Sequence, residues 1–171
     1  YNSQRVGAGT VALGLAVGAY RNALEFAKER EQFGRPIAEF QGLQWMLADM
    51  SVQIEAARSL LHKAALSAGQ NGSPFPDPTL AAQGKIFTSE MALKVTNDAL
   101  QMFGARGYSR NYPMERLARD ARMFTIGGGT AQILRTVVAS RILEMKLPQT
   151  REGFLRIAEH EEAKKDLQAA E

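Results

Sequence analysis

A regular apolar stripe in the second quarter of the chain constrains the fold more than any other feature. Six apolar residues recur at alternating steps of four and three: Leu43, Leu47, Met50, Ile54, Ala57 and Leu61. This spacing places all six on one face of an α-helix. A helix with such a face is stable when the face packs against another element. We therefore expect a fold built by packing helices.

Three further segments have helical periodicity, and none of the chain shows β-alternation. The predicted helices cover about residues 3–30, 38–68, 78–103 and 130–144. Asp77 with Pro78 predicts an N-cap for the third helix, and Gly69 predicts a stop after the second. The positions predicted to face inward are Phe87, Met91, Val95, Ala99 and Met102 on the third helix, and Ile133, Val137 and Ile142 on the fourth.

Long helices with short connections predict an all-α fold, an up-and-down four-helix bundle. Residues 1–148 would form this bundle, with a short helix from about Pro113 inside it. Residues 149–171 are charged and only weakly amphipathic, which predicts a C-terminal helical tail.

Composition excludes several classes of protein. The 171 residues include no cysteine, so no disulfide or thiolate metal site exists, and a reducing, cytoplasmic setting is expected. No apolar run approaches the roughly 18 residues of a membrane span. The arginines are dispersed without interleaved aromatics, which argues against nucleic acid. His62 and His160 have no partner at metal-ligand spacing, so we expect surface histidines and no metal.

The connection between the first two helices carries the first candidate site. Arg30 and Arg35 flank Gly34, which permits close backbone approach to a phosphate. Phe33 and Phe40 beside them can cover an aromatic ring. The alternative is an ordinary helix–helix turn with solvated arginines.

Two other stretches have the same ambiguity. Gln101 precedes Gly104 and Gly107, so a side-chain amide and bare backbone are available to a ligand, unless this is a simple C-terminal cap. The glycines 127–129 precede a helix and can expose N–H groups to an anion, with arginines ahead of them.

Taken together, these stretches resemble the acyl-CoA dehydrogenase family. The motifs follow one another over about residues 1–146: QRVGAGTVALGLA, REQFGRPIAEFQ, LADM, DALQMFGARGY and RDARMFTIGGGTAQILR. Family members combine an N-terminal helical domain, a middle β-domain and a C-terminal helical bundle. The resemblance implies that this chain is the last of these domains, part of a flavoenzyme that acts on an acyl-CoA thioester. Without the missing N-terminal and middle domains it is expected to be inactive.

The resemblance assigns three groups of residues to FAD. Those near its pyrophosphate and adenosine side are Arg30 and Phe33, with Ile37, Phe40 and Gln41 in the neighbouring pocket. Those expected to hold the FAD of an adjacent subunit are Gln101, Met102, Gly104 and Ala105, because these enzymes are homodimers or homotetramers with shared flavin sites. Thr130 and Gln132, after the glycines, are also at flavin-contacting positions.

The acyl-CoA is assigned to the beginning of the chain and to the glycines. Asn2 and Arg5 match positions near the bound acyl-CoA, and Gln4, Gly128 and Gly129 match positions at its reacting end. Dehydrogenation needs a carboxylate base near the α-proton. Most members place a glutamate where Gly128 stands, and a minority place it where Gln4 stands. An amide is no general base near neutral pH, so both usual positions of the base are empty.

Within the family, the chain resembles most closely the branch that removes sulfite from 3-sulfinopropanoyl-CoA without net redox change. That reaction does not begin with removal of an α-proton by a strong base. Two alternatives stay open. One is an ordinary acyl-CoA dehydrogenase whose base is Glu39, Glu115 or a residue of the missing domains. The other is a non-catalytic subunit that binds acyl-CoA or FAD.

Overall fold

The computed structural model describes residues 1–149 and 151–169 and is helical through most of its length. Two two-residue strands, β1 (Glu31–Gln32) and β2 (Arg35–Pro36), pair antiparallel after the first helix. A 3₁₀ turn, Ile37–Glu39, follows them. The α-helices are α1 (Asn2–Glu29), α2 (Gln41–Leu66), α3 (Pro78–Phe103), α4 (Ala105–Tyr108), α5 (Met114–Phe124), α6 (Ala131–Ile142) and α7 (Arg151–Ala169).

The all-α fold with a C-terminal helical tail is confirmed. The division between residues 1–148 and 149–171 stays a prediction. Thr150 and the last two residues of the tail, 170 and 171, lie outside the described residues.

Helix α3 is the central element, because α1, α2, α5 and α6 all pack against it. Asn2 at the start of α1 donates a hydrogen bond to Pro76 O (3.2 Å), just before α3. Phe26 near the end of α1 stacks on Phe103 at the end of α3, so the two helices run in the same direction. Helices α2 and α5 run in the opposite direction, which gives the up-and-down arrangement.

Helix α6, which follows the three glycines, was predicted to be the fourth antiparallel helix of the bundle, and the structure places it differently. Lys85 Nζ donates to Gly129 O (2.7 Å), and Arg135 pairs with Glu90 (2.8 Å). Helix α6 therefore advances along α3 in the same direction, and α5 occupies the fourth place in the bundle. The sequence pattern predicts that a helix forms here, but it does not predict against which helix it packs.

Three positions predicted to face inward are exposed. Phe87 is 39%, Ile133 is 51% and Ile142 is 69% exposed, so these predictions are wrong. Helix α6 packs chiefly on α3 and buries only a narrow stripe, Ala131 and Leu134. The other inward positions of α3 and the stripe of α2 are confirmed: Met91, Val95, Ala99, Met102, Met50, Ile54, Ala57 and Leu61 are buried, while Leu43 and Leu47 are half-buried.

Two helix ends behave as predicted. Asp77 Oδ1 accepts hydrogen bonds from the N–H groups of Thr79 and Leu80, both at 2.9 Å, and so caps α3. Gly69 has a φ of 82°, the left-handed conformation typical after a helix end.

Gly107 has a position that no larger residue fits. A Cβ built there would lie 2.5 Å from Leu100 O and 2.9 Å from Phe103 Cβ. We expect Gly107→Ala to lower the free energy of unfolding by about 1–3 kcal/mol, because backbone must shift. Gly14→Ala is the matched control. Its Cβ would meet nothing within 4 Å, and a mid-helix alanine should add about 0.5–1 kcal/mol. Urea denaturation followed by circular dichroism measures both, and equal effects would contradict the close contact.

Candidate functional site

The connection between α1 and α2 is a tight β-hairpin and not the ordinary helix–helix turn of the alternative interpretation. Phe33 and Gly34 form its two-residue turn with φ values of 54° and 75°. Positive φ at both residues is typical of a type I′ hairpin turn. This conformation is strained for phenylalanine, by roughly 1–3 kcal/mol. The Phe33 ring is nevertheless 92% exposed, so the strain is not offset by burial within this chain.

The hairpin holds Phe33 beside a second ring. Phe33 and Phe40 meet edge to face, with centroids 6.1 Å apart. The Arg35 guanidinium lies 4.5 Å from the centroid of Phe40, a cation–π contact. Gln41, the first residue of α2, is exposed next to them. These residues therefore present an aromatic and cationic surface to solvent.

An open groove of about 500 Å³ lies between the hairpin and the end of α3. Six residues that the resemblance assigned to FAD line it: Arg30, Ile37, Gln101, Met102, Gly104 and Ala105. The remaining lining residues are Phe26, Gln32, Leu43, Phe103 and Arg106. Segments about seventy residues apart in sequence thus form one site, and the two predicted sets of flavin contacts are adjacent in one chain.

The groove has a rigid aromatic base. The rings of Phe26 and Phe103 stack with centroids 4.0 Å apart and an interplanar angle of 14°. Tyr112 contacts Phe103 edge to face at 5.6 Å. Gly104 ends α3 with φ 57° and ψ −136°, a conformation that favours glycine. A Cβ there would meet nothing within 4 Å, so the backbone at this end of α3 is open to a ligand.

Two arginines give the groove its charge. Arg30, at the C-cap of α1, and Arg106, in α4, both line it, and guanidinium groups bind phosphate bidentately. Arg106 was not among the predicted cofactor residues. Its signal in the sequence is its position between Gly104 and Gly107, comparable to that of Arg30 ahead of Gly34.

The three glycines form a closed loop between α5 and α6. The N–H of Gly127 donates to Met123 O (2.8 Å), and the N–H of Ala131 donates to Thr125 O (3.0 Å). Thr130 Oγ1 accepts a hydrogen bond from the N–H of Ile133 (3.2 Å) and caps α6. Gln132, in its first turn, is exposed.

Gly128 and Gly129 both have left-handed backbone, with φ values of 70° and 92°. A Cβ built on Gly128 would meet no atom within 4 Å. The position to which the resemblance assigns the usual glutamate is therefore spacious, but its backbone conformation disfavours any side chain.

A buried lysine holds this loop. Lys85 on α3 is fully buried, and its Nζ donates a 2.7 Å hydrogen bond to Gly129 O. Burial lowers the pKa of Lys85, and the positive charge of nearby Arg5 lowers it further. Burial also lowers the pKa of Arg5. The structure thus brings two cations together with the glycine loop.

Arg5 has few partners. Its Nη1 donates to Asn2 Oδ1 (3.1 Å), while its buried Nε has no hydrogen-bond partner within the described chain. Gln4, its neighbour, is exposed. Of the residues expected near acyl-CoA, the structure brings Arg5 and Asn2 into direct contact and Arg5 close to the lysine that binds Gly129.

Lys85 was missed in the sequence because the inward register of α3 was counted from Phe87. Its signal was present: Ala81, Lys85, Thr88, Ala92, Val95 and Ala99 recur at steps of three and four, and all are buried. A lysine within an apolar stripe indicates a buried amine that needs an acceptor.

No carboxylate in the described part of the chain forms an ion pair with Arg5 or Lys85. Glu115, in the first turn of α5, pairs with Arg119 (3.5 Å), whereas Gly128 follows the end of that helix. Glu39 is exposed in the 3₁₀ turn beside the hairpin. Neither alternative base lies at the glycine loop.

The groove and the glycine loop are at different places along α3. Lys85 and Gln101 lie on this helix, about 24 Å apart along its axis. A single flavin ring is too short to contact both.

The described residues contain no helix that is both long and apolar enough to cross a bilayer. They also contain no group of three or more His, Cys, Asp or Glu side chains arranged to bind a metal ion. His62 and His160 are exposed, as predicted.

Comparison with known proteins gives one family. The family model described as acyl-CoA dehydrogenase, C-terminal domain, matches residues 1–143. A 3-sulfinopropanoyl-CoA desulfinase from Cupriavidus necator is 69% identical over 91% of this chain and 38% of its own length. A short-chain-specific acyl-CoA dehydrogenase from Clostridium acetobutylicum is 44% identical over 81% of this chain and 36% of its own length.

The fold agrees with the same family. The solved structure of butyryl-CoA dehydrogenase from Megasphaera elsdenii superimposes with a TM-score of 0.78 at 42% identity. The match covers 83% of this chain and 36% of that one. The chain thus spans less than two-fifths of the length of these relatives. It belongs to the acyl-CoA dehydrogenase family, of which it represents the C-terminal helical domain.

Proposed function

We propose that this chain is the C-terminal domain of a FAD-dependent enzyme that releases sulfite from 3-sulfinopropanoyl-CoA. One observation carries the choice of reaction over dehydrogenation. Gly128 and Gln4 stand where a base is needed, and no described carboxylate pairs with the cations beside them. Similarity to desulfinases at 66–69% identity supports the same choice.

The proposed reaction breaks the C–S bond at the β-carbon. The β-carbon keeps the electron pair of that bond and gains a proton. The SO2 group leaves and takes up a hydroxyl from water, which gives sulfite. No electrons pass to an external acceptor. Removal of an α-proton by a strong base is not the first step. The absence of a carboxylate would then protect the substrate from dehydrogenation on the flavin.

The groove fits the adenosine diphosphate half of FAD. Arg30 and Arg106 would bind the pyrophosphate, Gln101 offers an amide, and the open backbone at Gly104 allows close approach. FAD, when bound, would supply an aromatic, electron-accepting ring beside the acyl chain. Thr130 and Gln132, which follow the loop held by Lys85, would contact a flavin at the reacting end instead.

The proposed assembly is a homo-oligomer in which one chain contributes to two flavins, as the resemblance implies. Large apolar side chains are also exposed, including Phe33 at 92%, Val52 at 69% and Trp45 at 62%. Exposed apolar surface of this kind favours burial against other domains or subunits. The missing N-terminal and middle domains and a second copy of the enzyme are the proposed partners.

The deciding experiment uses the complete polypeptide with FAD bound. We expect 3-sulfinopropanoyl-CoA to yield sulfite without loss of flavin absorbance. Plain acyl-CoAs with an artificial electron acceptor should give no acceptor reduction. Bleaching of the flavin by a plain acyl-CoA would instead establish a dehydrogenase with its base elsewhere. If neither sulfite release nor flavin bleaching occurs, the result favours a non-catalytic binding subunit.

Loss of the Arg30 guanidinium should weaken FAD binding. Arg30→Met keeps the aliphatic stem but removes a charge-assisted contact, which should raise the Kd for FAD roughly 10- to 100-fold. Arg58→Met is the matched control, because Arg58 is exposed on α2 and pairs with Glu55. Titration of the apo-protein with FAD measures both. Unchanged affinity in Arg30→Met would exclude Arg30 as a phosphate contact.

Restoring a carboxylate at position 128 should change the reaction. Gly128→Glu should permit a plain acyl-CoA to reduce the flavin, because there is room for the side chain. Its positive φ should cost about 1–2 kcal/mol of stability. Gly128→Ala bears the same backbone cost without the carboxylate. Flavin bleaching is followed in both variants, and equal rates would mean that the carboxylate does not separate the two activities.

A further inference from the structure

We infer that Lys85 is a positioning residue, whose ammonium group fixes the glycine loop over the reacting end of the substrate. This role rests on the proposed function only in naming that end. The contact that supports it is a property of this chain: Lys85 Nζ to Gly129 O, at 2.7 Å, between the middle of α3 and a loop 44 residues later.

The burial of Lys85 argues against a passive role. It is the one buried lysine among those whose side chains the structure describes, and it is fully covered. Burying an amine is costly unless it finds an acceptor. Gly129 O is its hydrogen-bond acceptor in the described chain, and the charge of Arg5, which is repulsive, acts on it as well. A methionine would fill the same space without this cost.

The loop needs an external anchor. Three successive glycines lose more conformational entropy on ordering than any other tripeptide. The loop's own hydrogen bonds, from Gly127 to Met123 and from Ala131 to Thr125, tie its ends and leave Gly128 and Gly129 between them. Lys85 holds the second of these two glycines, so it fixes the one segment that the loop does not fix itself.

A second contact between the same segments lies about one and a half turns further along α3 and has a different role. Arg135 on α6 pairs with Glu90 on α3 at 2.8 Å, and both side chains are about half exposed. Such an exposed pair orients α6 but contributes little stability. The buried Lys85 contact is therefore the specific determinant of the position of Gly128 and Gly129.

The test uses the complete, FAD-bound polypeptide and three variants. Lys85→Met keeps an unbranched side chain that is one atom shorter and removes the donor. Lys85→Arg keeps a cationic donor. Lys94→Met is the matched control on the same helix, since Lys94 is exposed and pairs with Asp98. Hydrogen exchange of the peptide covering residues 125–131 is measured without substrate, and kcat and KM are measured with the acyl-CoA that the wild type turns over.

In Lys85→Met, we expect the loop amides to exchange about ten-fold faster or more, with those of residues 90–103 unchanged. We expect kcat to fall about ten-fold or more, with KM within about three-fold. Lys85→Arg should recover most of kcat, and Lys94→Met should resemble the wild type. If Lys85→Met does not retain FAD, Lys85→Gln, which is polar but too short to reach Gly129, is judged by the same criteria.

Two results would overturn the inference. One is unchanged loop exchange in the variant that lacks the donor. The other is an equal fall of kcat in Lys85→Met and Lys85→Arg, which would indicate a requirement for shape alone. Because exchange is measured without substrate, the first outcome is independent of whether the enzyme releases sulfite or reduces its flavin.

Discussion

The close packing of α1 and α2 on α3 determines the position of every other part. Small residues make it possible: Ala12, Ala16, Ala19, Ala23 and Ala27 of α1 are all fully buried. Leu61 of α2 lies where the three helices meet. A Cβ on Gly9 would be 2.7 Å from its Cδ2, and a Cβ on Gly84 would be 3.3 Å from the same atom. Side chains of other shapes would shift the helices along one another, and interiors tolerate such shifts poorly.

This register serves both ends of the bundle. At one end it places Arg5 close to Lys85, and through Lys85 close to the glycine loop. At the other end it stacks Phe26 on Phe103 and so brings Arg30 beside Gln101. Helix α3 is the rigid spacer between the two. A single helix thus couples the groove proposed for adenosine diphosphate with the loop proposed for the reacting acyl chain.

The places where the chain departs from ordinary folding rules coincide with these two ends. Phe33 has positive φ without burial, Gly104 has a conformation that favours glycine, and Lys85 is an amine inside an apolar stripe. None of them contributes to the core by hydrophobic packing. Such local conflicts are maintained where function requires them, and the surrounding packing supplies the stability.

The sequence by itself determined the helices, their caps and the motifs, because helical periodicity and capping depend on residues only a few positions apart. It also placed Arg30, Gln101 and the glycines 127–129 in a family pattern. Only the tertiary structure decided that α5 completes the bundle, that Ile133 and Ile142 face outward, and that Arg106 joins Arg30 in one groove. The buried contact of Lys85 with Gly129 belongs to the same group. Burial depends on which distant segment covers a face, and periodicity shows that a face is apolar without showing what covers it.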